Sequence, residues 1–146
     1  ATQLIAGGAD AVSMHLFLGG RSQEDLLCAD EIRSLGISIT LTTDDGSAGL
    51  QCLITDPLEQ AIRQSPPDLL CACGPQGMLQ CVNGIAAHHG VPCQISMETL
   101  MACGMGACLG CAVRAADAQA GYLHVCVDGP VFTVGQVDMR GPRISD

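Results

Sequence analysis

The sequence predicts an α/β fold, a parallel sheet with helices on both faces, followed by a small cysteine-rich domain. Through residues 12–96, apolar strand-like runs alternate with helically spaced ones, the pattern of repeated βα units. Turns containing glycine fall at Gly19-Gly20, Gly46 and Gly74, at the carboxyl ends of the strands, where an open parallel sheet holds its ligand. The third observation is Met101–Cys111, MACGMGACLGC, with Cys103, Cys108 and Cys111 spaced C-x4-C-x2-C and Cys126 following in HVCVDGPVF.

The elements follow in order. Val12 to Leu18 is apolar enough for a buried parallel strand, and Gly19-Gly20-Arg21 turns the chain. Ser22 and Asp25 form a capping-box pattern ahead of Leu26, Leu27, Ile32 and Leu35, which recur at helical spacing and stop at Gly36. Ile37 to Leu41 is β-branched, TTDDGSAG is a loop, and Asp56-Pro57 reads as an N-cap with proline opening a helix that ends before Pro66-Pro67. Asp68 to Cys73 is the next strand. Met78, Leu79, Val82, Ile85 and Ala86 then mark an amphipathic helix closed by Gly90. Val91 to Ser96 leads into the cysteine loop, so the predicted boundary separates residues 1–96 from 97–146. Beyond the loop, Ala112 to Gly121 is expected to connect, and Leu123 to Val127 and Val131 to Val137 to form short strands.

The cysteine spacing is that of a plant-type [2Fe-2S] site. A binuclear cluster needs four thiolates, and a tight loop presents three of them only if its backbone wraps the inorganic sulfides closely. Gly104, Gly106 and Gly110 permit that approach and leave amides free to point at sulfur. A zinc site ordinarily pairs one C-x2-C with a second at a distance, whereas here the only such pair, Cys108 and Cys111, follows directly on a C-x4-C. This tail is too small to fold on burial alone, so a cluster would act as its staple and the cluster-free form is expected to be locally disordered.

Composition narrows the partners. A formal charge of -9 opposes nucleic acid and anionic membranes. No apolar run approaches the length of about 20 residues that spans a bilayer, and the start ATQLIAGGADA lacks a basic region, so a cytoplasmic protein is expected. Ten cysteines could indicate a secreted disulfide scaffold. Cys28, Cys71, Cys81 and Cys93 instead lie in apolar or helical patterns and read as core residues. His88 and His89 are adjacent on a helix and point apart, so they read as favourable charges at its C-terminal end. His15 and His124 have no motif around them.

PCQISMETLMACGMGACLGCAV followed by VCVDGPVF resembles the cluster domain of the dihydroorotate dehydrogenase electron transfer subunit. LFLGGRSQEDLL, TTDDGSAG and CGPQGML resemble that subunit's nucleotide-binding half, so the likeness covers almost all of the chain. It implies a ferredoxin reductase-like NAD-binding sheet followed by a [2Fe-2S] domain. It further implies Cys103, Cys108, Cys111 and Cys126 as ligands. The nucleotide contacts it implies are Gly20, Arg21 and Ser22 toward the adenosine ribose, Asp44, and Cys73, Gly74 and Pro75 near the nicotinamide. Asp128, Gly129, Pro130 and Phe132 would seal the cluster or dock a partner, with Met101 and Met105 packing around it.

The implied chemistry is electron relay. Electrons pass from the FMN of a dihydroorotate dehydrogenase catalytic subunit, in a heterotetramer, through the cluster to FAD and then NAD. The chain departs from the family in lacking the FAD-binding barrel, the first strand and the Gly-rich phosphate loop, the resemblance beginning inside the first helix. A fragment, a strand supplied by another segment, or closure of the two neighbouring strands would each account for that. A cluster-bearing subunit of a sulfhydrogenase or ferredoxin:NADP oxidoreductase, and a non-catalytic metal-binding or interaction module, are the alternative readings.

Overall fold

A computed structural model of the 146-residue chain describes residues 7–8 and 10–139. The N-terminal stretch where the family resemblance begins lies mostly outside the described residues. The chain divides into two compact units, Ala1–Ala61 and Ile62–Asp146.

In the first unit, the Asp10 carboxylate accepts a hydrogen bond from the Val12 amide at 3.1 Å and holds Ala11–Ser13 in a 3-10 turn. Strand β1 therefore starts later than the apolar run predicts. It spans His15–Gly20 and absorbs the two glycines expected to turn. It pairs in parallel with β2, Ser38–Thr43, from His15↔Ser38 to Gly20↔Thr43. The capping box of Ser22 and Asp25 exists but closes only a 3-10 turn, Gln23–Asp25. Cys28 then takes a left-handed conformation, φ 59°, which no continuous helix tolerates. Helix α1 is consequently confined to Ala29–Ser34, and Leu27 is left exposed. After β2 the chain folds back, Leu50 N–H donating to Leu41 O at 2.9 Å. Gly49 permits this close return, since a Cβ there would strike the Leu41 carbonyl. Helix α2, Thr55–Gln64, begins one residue before the predicted cap, with Pro57 still in its first turn.

The second unit is built on β3, Leu70–Cys73, and β4, Cys93–Ser96, which are parallel and joined by helix α3, Gln76–His89. Leu79, Val82 and Ala86 form the buried face of α3, and Gly90 closes it in the left-handed conformation its sequence position predicts. A hairpin follows, β5 Ala112–Arg114 with β6 Tyr122–His124. The expected connector is thus partly strand. Helix α4 is a single turn, Val125–Asp128, where a strand was expected, and it places Cys126 on helical backbone. Strand β7, Val131–Thr133, returns to pair antiparallel with β4, giving the order β3-β4-β7. Ile95 and its register partner Phe132 are both buried there.

Of the four cysteines expected in the core, only Cys93 is buried; Cys28, Cys71 and Cys81 are exposed. Strand periodicity explains Cys71, because Leu70 and Ala72 take the better-covered positions of β3 and the cysteines alternate with them. Burial raises the Cys93 thiol pKa to about 11, with a smaller contribution from Cys71. Strand β1 pairs only with β2, and β3 only with β4, so among the described residues the two parallel ladders are not joined. Among the same residues, no helix is long and apolar enough to cross a membrane.

Candidate functional site

Residues 97–111 adopt neither helix nor strand, and left-handed backbone at Gly104, Gly106 and Leu109, φ 59° at the last, gives them their shape. Gly104 and Gly106 have φ of 65° and 80°, values that curl the backbone around the sulfur atoms. The Met105 and Cys108 amides donate to Cys103 Sγ at 3.5 and 3.4 Å, and the Gly110 amide donates to Cys108 Sγ at 3.4 Å. Those two bonds to Cys103, with a further one from the Cys108 side chain, bring its thiol pKa down to about 6. The loop therefore favours the thiolate form of Cys103.

The fourth cysteine comes from α4. The Val125 amide donates to Cys111 O at 3.1 Å, and Cys111 Sγ and Cys126 Sγ lie 3.2 Å apart. Hydrogen bonds from Cys126, its backbone first, lower the Cys111 pKa, while the bond to the Cys111 side chain raises that of Cys126. The loop also meets α4 at Gly106, whose backbone bonds to the Cys126 sulfur. A Cβ on Gly106 would come within 2.8 Å of Val127 Cγ2. Two thiol pairs result, Cys103 with Cys108 and Cys111 with Cys126. Among the described residues no three His, Cys, Asp or Glu side chains are gathered to hold one metal ion. A [2Fe-2S] cluster asks instead for four thiolates shared between two irons, with amides directed at sulfur, and this donor set fits it.

Met101 and Met105 are exposed, as are Leu100, Leu109 and Val127. Phe132, expected to seal or dock, is 2% exposed and lies beneath Gly129 in the core. Pro130 O accepts the Met97 amide at 2.9 Å and continues the β4–β7 pairing.

The predicted nucleotide residues fall into two groups, one in each unit. In the first unit the parallel register brings Gly20, Arg21 and Ser22 beside Asp44. The Asp44 amide donates to Gly20 O, and the Asp45 amide to Arg21 O, each at 3.1 Å. The Gln23 amide donates to Ser47 Oγ at 2.8 Å. An open hollow of about 550 Å³ is lined by Ser22, Gln23, Glu24, Asp45 and Ser47. Of the predicted contacts only Ser22 lines it; Gly20, Arg21 and Asp44 do not, and Gln23, Glu24, Asp45 and Ser47 were not foreseen. The Asp45-Gly46-Ser47 sequence carried a signal for two of them, because an aspartate two residues before a serine makes an Asx turn. Asp45 Oδ1 accepts from both the amide and the hydroxyl of Ser47, and these bonds lower its pKa. In the second unit, Cys73 ends β3 and is exposed, Gly74 has φ 154°, and Pro75 caps α3, its carbonyl accepting the Leu79 amide. A side chain at Gly74 would collide with the Met78 methyl.

Residues 2–84 match the family model of the oxidoreductase NAD-binding domain. The chain belongs to that oxidoreductase family. Residues 98–138 match the iron-sulfur cluster binding domain of dihydroorotate dehydrogenase B. A probable dihydroorotate dehydrogenase B (NAD(+)) electron transfer subunit of Methanopyrus kandleri is 40% identical over 121 residues, covering 83% of this chain and 44% of the relative. The corresponding subunit of Caldanaerobacter subterraneus is 37% identical over 134 residues, covering 91% of this chain and 52% of the relative. A solved structure of an NADH-dependent reduced ferredoxin-NADP oxidoreductase, described with flavin-based electron bifurcation, aligns with a TM-score of 0.72 at 31% identity. That alignment covers 86% of this chain and 44% of the other. This member of the NAD-binding oxidoreductase family thus spans about half the length of the curated relatives it matches, with the predicted ferredoxin reductase-like α/β architecture.

Proposed function

We propose that the chain serves in the electron transfer subunit of an NAD-dependent dihydroorotate dehydrogenase, in the cytoplasm, carrying electrons from the FMN of a catalytic subunit toward FAD and NAD. The observation that carries this reading is the four-cysteine constellation, with amides on the Cys103 and Cys108 sulfurs and Cys126 Sγ beside Cys111 Sγ, within the stretch that matches the dihydroorotate dehydrogenase B cluster domain. When bound, a [2Fe-2S] cluster supplies one-electron transfer, a step flavins can feed and drain. Cys103, Cys108, Cys111 and Cys126 would hold it. The chain's own part is to hold those sulfurs in place and to favour thiolate at Cys103 and Cys111.

A nucleotide-binding part, residues 1–96, and a cluster part, residues 97–146, remain our functional division, supported by family matches over 2–84 and 98–138. NAD(H) would meet Gly20, Arg21 and Ser22 at the end of β1, where Ser22 lines the hollow, and Cys73, Gly74 and Pro75 at the other turn, with Asp44 bracing the first loop. The apolar rim of Leu100, Met105, Leu109 and Val127 suits a catalytic subunit docking over the loop, as in a heterotetramer. A subunit of a ferredoxin:NADP oxidoreductase is the second reading, favoured by the solved structure that this chain resembles.

The test is iron and acid-labile sulfide content on protein purified without oxygen, with the absorption and reduced-state EPR spectra. The proposal expects a binuclear cluster that Cys108→Ser abolishes. Activity with added dihydroorotate dehydrogenase catalytic subunit then separates the two oxidoreductase readings. Zinc, or no metal, would overturn both.

A further inference from the structure

Helix α4, the turn bearing Cys126, has no side chain capping its N-terminus. A lone helical turn is a costly nucleus, and it must be held from outside. Three contacts do so. The Val125 amide is tied to Cys111 O, Val127 packs against Gly106, and the Asp128 carboxylate reaches back across the turn to accept the His124 backbone amide at 2.6 Å. The last is short for an N–H···O bond and is charge-assisted. The His124 ring itself stands farther off, Nδ1 lying 4.0 Å from the same oxygen. The carboxylate therefore spans the whole turn, from the residue before it to its last residue, with Cys126 between.

We propose that Asp128 is the positioning residue for the fourth cluster ligand: by bonding the His124 amide, its carboxylate locks the Val125–Asp128 turn and fixes where Cys126 presents its sulfur. The inference rests on the cluster reading above and deepens it. The Val125 and Val127 contacts anchor the turn to the loop, and the Asp128 bond keeps it a turn. Oxygen as acceptor matters here, and charge only strengthens it, so an asparagine carbonyl preserves the function.

The experiment compares the wild-type chain with Asp128→Ala and Asp128→Asn, each reconstituted anaerobically with ferrous iron and sulfide. Cluster loss is followed by absorbance after adding an iron chelator, and the reduced-state EPR line shape reports the sulfur geometry at the iron that Cys126 binds. Asp128→Ala is expected to lose its cluster about tenfold faster or more, the worth of a hydrogen bond to a charged group, with an altered EPR line shape. Asp128→Asn, which keeps the acceptor and loses only the charge, is expected to stay within about threefold of wild type and to restore the line shape. An alanine variant that matches wild type in both readouts overturns the proposal, as does an asparagine variant as labile as the alanine one. If the alanine variant fails to fold, Asp128→Leu, close to the carboxylate in shape but without an acceptor, takes its place and is read by the same criteria. A wild-type chain that takes up no cluster overturns the cluster reading and this inference together, which distinguishes that failure from a failure of the Asp128 role alone.

Discussion

Gly106→Ala measures how tightly the cysteine loop is pressed against the turn that bears Cys126. Two costs add. The residue sits at φ 80°, where an L side chain is strained by about 1 kcal/mol. The new methyl would also come within 2.8 Å of Val127 Cγ2, well inside the ordinary carbon contact of about 3.5–4.0 Å. Val127 is 61% exposed, so it can rotate away, at the roughly 1 kcal/mol that an off-rotamer side chain costs. The expected loss is therefore about 2 kcal/mol. Gly104 supplies the control, with φ 65° and nothing within 4 Å of a built Cβ. Gly104→Ala should cost only the conformational part, about 1 kcal/mol. Removing the obstacle should recover the difference, so Gly106→Ala introduced into a Val127→Ala chain is expected to cost about 1 kcal/mol. Urea unfolding of the chain reconstituted anaerobically with its cluster, at constant m-value, reads all of these. Equal losses at Gly104 and Gly106, within about 0.3 kcal/mol, or no recovery in the double variant, would refute the packing of loop on turn.

Two further outcomes follow from the core. Phe132 is 2% exposed and pairs with Ile95; Phe132→Ala should cost roughly 3 kcal/mol or more, against less than about 0.5 kcal/mol for Val131→Ala at its exposed neighbour, both read by urea unfolding. Burial raises the Cys93 pKa from 9.0 to about 11. The unfolded chain thus gives up this proton first, and between those pH values the folded state binds more protons. The stabilising contribution is complete below pH 9.0, declines above it and is lost as pH passes about 11. Cys93→Ala should flatten the stability profile across that window, and an unchanged slope would show that Cys93 is not its source.

The parts of this chain most legible in sequence were those governed by local chemistry. Gly90 had to end α3 because only a left-handed residue closes that turn easily, and the C-x4-C-x2-C spacing named its chemistry without any fold. Non-local influences were hidden. The displacement of β1 traces to a capping bond from Asp10, and the shortening of α1 to a left-handed cysteine, a conformation composition gives no reason to expect. Cys126 looked like part of a strand because Leu123 to Val127 alternates suitably, yet the bonds at Cys111 and Asp128 wind it into a turn. At the hollow, Asp44 was the natural choice beside a glycine loop, but the Asx turn at Asp45 directs the neighbouring carboxylate there.

The pairing of β7 with β4 makes the cysteine segment an excursion. Ser96 and Val131 are register partners, and the Met97 amide meets the Pro130 carbonyl one step beyond. Everything between leaves and rejoins the sheet at touching positions, as the tip of a hairpin does. Such a segment can be lengthened, shortened or exchanged with little strain on its host, because its two ends are already held the right distance apart. A short turn joining residue 96 to 131 should therefore leave β3, β4 and β7 assembled. The excursion is also tied to residues beyond β7, through the Ala115–Val137 bridge and the bonds from the Ala116 amide to Gln136 O and from the Asp138 amide to Arg114 O, so a transplant would have to carry residues 136–138 with it.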